Sequence, residues 1–141
     1  MISVIIPTYN RAQLLRLTIE SILLQTAEEI EILIIDDGST DDTEKVVKEF
    51  KHDNIKYFKL SNTGNIGRLR NFGIQRSTYD ILAFCDDDDI WEKEKLSRQL
   101  SYLDKYDFVC SNGKLVDSEN NIIKEKYFDI HENFLISPEI L

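Results

Sequence analysis

The sequence predicts an α/β domain: an open, mostly parallel β-sheet with helices on both faces. Short apolar, β-branched runs alternate four times with segments of helical periodicity between Ile2 and Leu103. The first run lacks a periodic polar face, and the second reads likewise as buried, as expected of strands covered on both sides. Each run also opens directly into a polar or acidic loop. Right-handed crossovers would connect the strands.

Ile2-Ser3-Val4-Ile5-Ile6 forms the first strand, with Pro7 expected to end it. Asn10 is placed to cap a helix carrying Leu14, Leu15, Ile19, Ile22 and Leu23, with Gln13 as capping-box partner. Ile30 to Ile35 is the second strand and closes on Asp36-Asp37-Gly38-Ser39. There Gly38 suits a tight turn, and Ser39 or Thr40 suits the cap of the next helix. That helix shows Thr43, Val46, Val47 and Phe50 at helical spacing, with Asp41 and Asp42 in its electropositive first turn. Ile55 to Leu60 is the third strand. The loop Ser61 to Gly67 follows, and its glycines Gly64 and Gly67 open a helix running to about Ser77. Asp80 to Cys85 is the fourth strand and runs into Asp86-Asp87-Asp88-Asp89. A helix from Glu92 to Tyr106 then bears Leu96, Leu100 and Leu103 inside and a charged, solvated face outside. Beyond it, Asp107 to Cys110 reads as a fifth strand, and Lys114 to Asp117 with Ile122 to Lys126 as a hairpin around Ser118–Asn121. Residues 127–141 carry more apolar side chains than a free tail should, so the chain is expected to be truncated, with this segment a surface for self-association.

Composition narrows the function. At 141 residues one domain is expected. Seventeen Lys and Arg against 26 Asp and Glu give a net charge of −9, the wrong sign for a nucleic-acid partner. No apolar stretch approaches the ~20 residues of a membrane span, and no basic-then-apolar leader precedes Ile2. The expected location is cytoplasmic, or peripheral to the inner face of a membrane. Cys85 and Cys110 read as buried small hydrophobes rather than a disulfide or zinc pair. His52 and His131 have no metal-ligand spacing around them and read as solvated or satisfied side chains. No G-x-G-x-x-G follows the first strand, no P-loop occurs, and the acidic run lacks the glycine of a calcium loop, which excludes dinucleotide, P-loop and EF-hand readings.

In a parallel sheet all carboxyl ends share one edge, where ligands bind. Pro7-Thr8-Tyr9-Asn10, Asp36 to Ser39, Asn62 to Gly67 and Asp86 to Asp89 should therefore line one crevice. Four consecutive aspartates need compensation by water or a cation. Their hard oxygens favour Mg²⁺ or Mn²⁺, with few protein ligands and the other positions left to water and substrate phosphate. Ion pairing of each carboxylate by Lys or Arg would remove that need. A helix cap alone does not call for four carboxylates, although Asp89, nearest the helix, fits that role. Of Asp36 and Asp37, Asp37 is the better placed to accept the ring N–H of a uracil-like base. Tyr9 either stacks on that base or packs at the core edge. Arg68, Arg70 and Arg76 are the cations expected nearest the crevice. Neighbours two apart on a helix diverge, so one of Arg68 and Arg70 should face the ligand, with Arg68 favoured.

Four ordered motifs, Val4–Arg11, Asp36–Thr43, Asn65–Gly73 and Phe84–Trp91, together resemble the family 2 glycosyltransferases of the GT-A fold. The resemblance spans residues 1 to about 110, a nucleotide-sugar-binding region, and leaves 111–141 as an incomplete start of the acceptor side. It implies a nucleotide-diphosphate sugar donor, with a UDP-sugar favoured, a saccharide or other hydroxyl acceptor, and a Mn²⁺ or Mg²⁺ ion bridging the diphosphate. The implied reaction is a single inverting displacement. By position it assigns Thr8, Tyr9 and Asp37 to the base, Asn65 and Arg68 to the base or phosphate, Asp88 and then Asp86 to the metal, and Asp87 to the ribose. The general base would lie beyond residue 141, so this chain by itself is expected to bind donor without transferring sugar. Two readings compete with this one. A phosphoacceptor receiver would need an acidic pair after the first strand, where Pro7–Asn10 holds no carboxylate. A non-catalytic nucleotide-binding module would bind donor without hydrolysing it.

Overall fold

The computed structural model describes residues 1–117, 119 and 121–126. Four strands and three helices alternate through β1 (Ile2–Thr8), α1 (Ala12–Leu23), β2 (Ile30–Asp36), α2 (Thr43–Glu49), β3 (Ile55–Lys59), α3 (Ile66–Arg76) and β4 (Ile81–Phe84). A short helix α4 (Lys95–Leu100) and a hairpin of β5 (Leu115–Val116) and β6 (Ile122–Lys124) follow. The four strands form one parallel sheet in the order β3-β2-β1-β4. Two compact units divide the chain, Met1–Ser101 and a second beginning at Tyr102.

The side-chain alternation of β1 and β2 separates two cores, because successive residues of a strand point to opposite faces. On one face Ile2, Val4, Ile6, Ile32 and Ile34 pack with Leu15, Ile19 and Ile22 of α1, Val47 of α2, Trp91 and Leu96. On the other, Ile5, Leu33 and Ile35 pack with Leu69 and Phe72 of α3 and with Phe58 and Leu82. Helices thus cover both faces, as the unbroken apolar runs predict. A Cβ at Gly73 would lie 2.5 Å from Cγ2 of Ile5, so α3 approaches β1 at a distance that only glycine permits.

Several local expectations are corrected. Pro7 does not end β1, which continues to Thr8 opposite Asp36. Odd-numbered residues of β1 direct their amide groups toward β4, since the Ile5 carbonyl accepts from Cys85 N. Pairing with β4 stops at Ile5–Phe84, so the missing N–H of Pro7 falls where no ladder bond is required. Asn10 does not cap α1 and Gln13 forms no capping box, because the N-cap of α1 is Arg11, whose side chain makes no cap bond. Ser39 and Thr40 do not cap α2, whose N-cap is Asp42. The helix expected from Glu92 to Tyr106 is only Lys95–Leu100, and Asp107–Cys110 is not a strand. Without a strand to bury it, Cys110 is exposed, whereas Cys85 is buried. The hairpin strands are present, with an irregularity between Leu115 and Val116, and Asp117 Oδ1 accepts from Asn121 N at 2.9 Å. The expected self-association segment 127–141, and His131 within it, lie outside the described residues.

Candidate functional site at the carboxyl edge of the sheet

From β1 the chain builds outward through β2 to β3, then crosses back to place β4 on the other side of β1. The strand order reverses there, and the space beyond the carboxyl ends of β1 and β4 is where such sheets bind ligands. Thr8 ends β1 and Asp87 follows β4. Thr8 Oγ1 donates to Asp87 Oδ2 at 2.7 Å across this junction, and both residues are buried. Arg11, at the start of α1, donates from Nη1 to Asp87 Oδ1 at 3.1 Å and to Asp88 Oδ2 at 2.7 Å. From the opposite face, Arg70 of α3 donates from Nη2 to Asp86 Oδ1 at 2.7 Å, while its buried Nε has no partner.

The two aspartates that close β2 have separate roles. Asp36 Oδ1 accepts from the amide and hydroxyl of Ser39 at 2.8 and 2.6 Å, and its Oδ2 accepts from the Tyr57 hydroxyl. Burial, then that bond to a carboxylate, drives the Tyr57 hydroxyl far above its ordinary range. Asp37, also buried, reaches the loop after β3. Its Oδ1 accepts from Thr63 N at 2.9 Å and its Oδ2 from Gly64 N at 2.7 Å, which leaves acceptor capacity on Oδ2. Gly38 sustains the turn between these loops at φ +80°, and a Cβ there would sit 3.0 Å from Asn62 N.

Asn10 and Asp41 lock the first two loops together. Asn10 adopts φ 52°, its N–H donates to Ser39 Oγ at 2.8 Å, and its Oδ1 accepts from Thr40 N at 2.7 Å. In return Asp41 Oδ2 accepts from Ala12 N at 3.0 Å, and its Oδ1 accepts from Thr43 N at 3.0 Å. One carboxylate therefore serves the starts of both α1 and α2, where helix ends carry unpaired N–H groups.

All four predicted loops meet this edge, and the structure places the candidate residues as follows. Tyr9 is 47% exposed, which leaves its ring partly open at this edge. Asn65 caps α3 by accepting from Arg68 N at 3.0 Å. The Arg68 side chain lines a shallow groove with Asn71, Phe72 and Gln75, while Arg70 is the arginine that reaches the acidic run. Arg76 does not approach the crevice, because its guanidinium lies 5.0 Å from the Phe72 ring and 5.8 Å from that of Phe58.

The compensation expected from water or a metal is supplied in part by the protein, with Arg11 and Arg70 pairing Asp86, Asp87 and Asp88. Two guanidiniums do not balance four carboxylates, and Lys95 adds a further positive charge near Asp89. Burial pushes the Asp87 carboxyl up, against the pull of Thr8 and Arg11. Partial desolvation, then the charges of Asp86 and Asp88, raise that of Asp89. Among the described residues no group of three His, Cys, Asp or Glu side chains is disposed to hold a metal ion. Sequence reasoning missed Arg11 as a partner of the run, although it stands within the first motif, because cations were sought only near the third loop.

An open parallel α/β sheet with an acidic, arginine-braced rim at its switch point defines a class of ligand-binding domain built on the carboxyl edge. The family model for glycosyl transferase family 2 matches residues 3–139, and the chain belongs to that family. It is 38% identical over 145 residues to an uncharacterized glycosyltransferase of Rickettsia felis, covering 99% of this chain and 23% of that protein. It is 34% identical over 140 residues to the Escherichia coli UDP-Glc:alpha-D-GlcNAc-diphosphoundecaprenol beta-1,3-glucosyltransferase WfaP, covering 99% and 53%. The crystal structure of S. aureus TarS 1–349 in complex with UDP superposes with a TM-score of 0.69 at 31% identity, over 74% of this chain and 32% of that one. The Pyrobaculum calidifontis mannosyltransferase PcManGT shares the fold, with a TM-score of 0.68 at 24% identity over 72% and 32%. The chain spans well under two thirds of the length of each of these proteins. Among the described residues no helix is long and apolar enough to cross a membrane.

Proposed function

We propose that this chain is the donor-binding part of a metal-dependent, inverting glycosyltransferase that takes a nucleotide-diphosphate sugar, with UDP favoured as the nucleotide, and serves a hydroxyl acceptor. The observation that carries the reading is the junction of Thr8, Arg11 and Asp86–Asp88 at the switch point, beside the loop that Asp37 holds. In this reading Asp37 keeps Oδ2 for the base N–H, and exposed Tyr9 stacks on the ring. Asn65, at the start of α3, and Arg68 stay near base or phosphate, and Arg70, paired with Asp86, is a guanidinium available to the diphosphate. Asp87 takes Thr8 on one oxygen and Arg11 on the other, and a second lone pair on either would accept a ribose hydroxyl.

The residues fit a divalent ion. Asp86 Oδ2 and Asp88 Oδ1 take no donor from the described protein, and both side chains are about half exposed, at 53% and 47%. Mg²⁺ and Mn²⁺ need only one or two carboxylates when phosphate and water complete the shell, so a three-residue protein cluster is not required. Such an ion would offset the charge that develops on the departing diphosphate. TarS was crystallised with UDP, which supports UDP as the first nucleotide to test. The test is isothermal titration of UDP, GDP and dTDP into the chain with Mn²⁺ present: saturable heat with at least one is expected, and silence with all three would remove the proposal.

A further inference from the structure

Arg11 breaks a local rule. It sits at the N-cap of α1, where the helix dipole disfavours a cation, and its own side chain forms no cap bond there, the Ala12 N–H being taken by Asp41. What holds it there is the acidic run, since one guanidinium nitrogen contacts both Asp87 and Asp88. Arg11 and Asp88 are both about half exposed, at 49% and 47%, so their pairing is open to solvent and to exchange with another cation. Arg11 therefore occupies part of the electrostatic position that a divalent ion on Asp88 would take. Displaced from Asp88, its head would be free to reach an anion arriving at the same rim.

We propose that Arg11 is a resident counter-cation that competes with the divalent ion for Asp88 and turns to the diphosphate when the ion binds, thereby coupling metal binding to nucleotide binding. The proposal rests on the donor-binding reading above. Without nucleotide the ion must displace Arg11 from Asp88 and leave it the 3.1 Å contact to Asp87 with no second anion. With nucleotide the diphosphate supplies that anion, so each ligand favours the other, and the coupling is reciprocal. A merely structural Arg11 would show the opposite sign on substitution, because losing it would loosen the rim and weaken metal binding.

The test titrates Mn²⁺ alone into the chain, reading free Mn²⁺ by electron paramagnetic resonance, for the wild type, Arg11→Gln, Arg11→Lys and Arg16→Gln. Arg16 pairs with Glu49 instead of the acidic run, so its variant controls for net charge. Arg11→Gln should tighten Mn²⁺ about three- to tenfold without nucleotide and shrink the Mn²⁺-induced gain in UDP affinity by a similar factor. Arg16→Gln should leave Mn²⁺ affinity as it is. Unchanged or weaker Mn²⁺ binding in an Arg11→Gln chain that melts like the wild type would overturn the proposal, as would equal tightening in Arg16→Gln. If Arg11→Gln does not fold, Arg11→Lys decides, because the shorter lysine side chain brings its ammonium less far toward the two carboxylates. Partial tightening supports the proposal, and wild-type affinity overturns it. Wild-type binding of UDP with Mn²⁺ is measured in the same series, so loss of the donor-binding reading is distinguished from loss of this one.

Discussion

Replacing Glu31 with Gln should lower stability at neutral pH and remove part of the fold's sensitivity to acid. Glu31 lies on β2 with its side chain only 5% exposed. Its Oε1 accepts from Ser3 Oγ at 2.5 Å and from Thr78 N, and its Oε2 accepts from Lys56 Nζ at 2.6 Å and Thr78 Oγ1 at 3.0 Å. Ser3 Oγ in turn accepts from Tyr79 N at 3.1 Å, so this cluster ties the connection between α3 and β4 to the strand starts. Burial alone would raise the Glu31 carboxyl, but the bonds from Lys56, Ser3 and Thr78 outweigh it and bring it down from 4.5 to about 2. The folded state therefore holds the proton less tightly than the unfolded chain. The resulting stabilisation is complete above the unfolded value near 4.5 and is lost as pH falls toward 2. A shift of that size corresponds to about 3 kcal/mol at neutral pH, of which about 2 kcal/mol is gone by about pH 3. Urea unfolding followed by circular dichroism at several pH values gives the wild-type curve and the Glu31→Gln curve. The gap between them should be about 2–4 kcal/mol at pH 7 and narrow steadily below about pH 5. A gap that stays constant down to pH 3 would refute the assignment of this acid sensitivity to Glu31.

Gly73→Ala should destabilise by about 1–3 kcal/mol in urea melts, because its Cβ would meet Ile5 at 2.5 Å; an unchanged midpoint would show that α3 can stand further from the sheet. Asn10→Ala loses the acceptor for Thr40 N and strains a φ of 52°, so it should cost about 1–2 kcal/mol, whereas Asn10→Gly keeps the backbone and should cost less. Asp37→Asn sets an amide against Thr63 N or Gly64 N and should weaken UDP binding about tenfold or more in calorimetry, with the loss equal in Mn²⁺ and in EDTA.

The sheet was legible because burial on both faces leaves its mark on the central strands: Ile32 to Ile35 is apolar throughout, and all four residues are buried. The shared edge followed from topology alone once the strands were parallel. Cap assignment failed because local offsets were used where the partners are remote. Asn10 bonds across 30 positions to Thr40, and Asp41 across 29 to Ala12. The same blindness hid the cations of the site: Arg11 reaches Asp87 across 76 positions, and the helical phase of α3 brings Arg70 rather than Arg68 to Asp86. The end of α4 was overextended because Leu103 keeps the apolar spacing while the backbone has already left the helix.

In the proposed function Asp88 is the carboxylate through which a divalent ion reaches the nucleotide. The most direct measurement is the UDP dissociation constant of wild type and Asp88→Asn, each in Mn²⁺ and in EDTA. Asp88 is half exposed, so the substitution should spare the fold. The wild type should bind about tenfold or more tightly with Mn²⁺, and Asp88→Asn should bind with nearly the same affinity in both buffers. An Asp88→Asn chain that keeps the full Mn²⁺ gain would contradict the account.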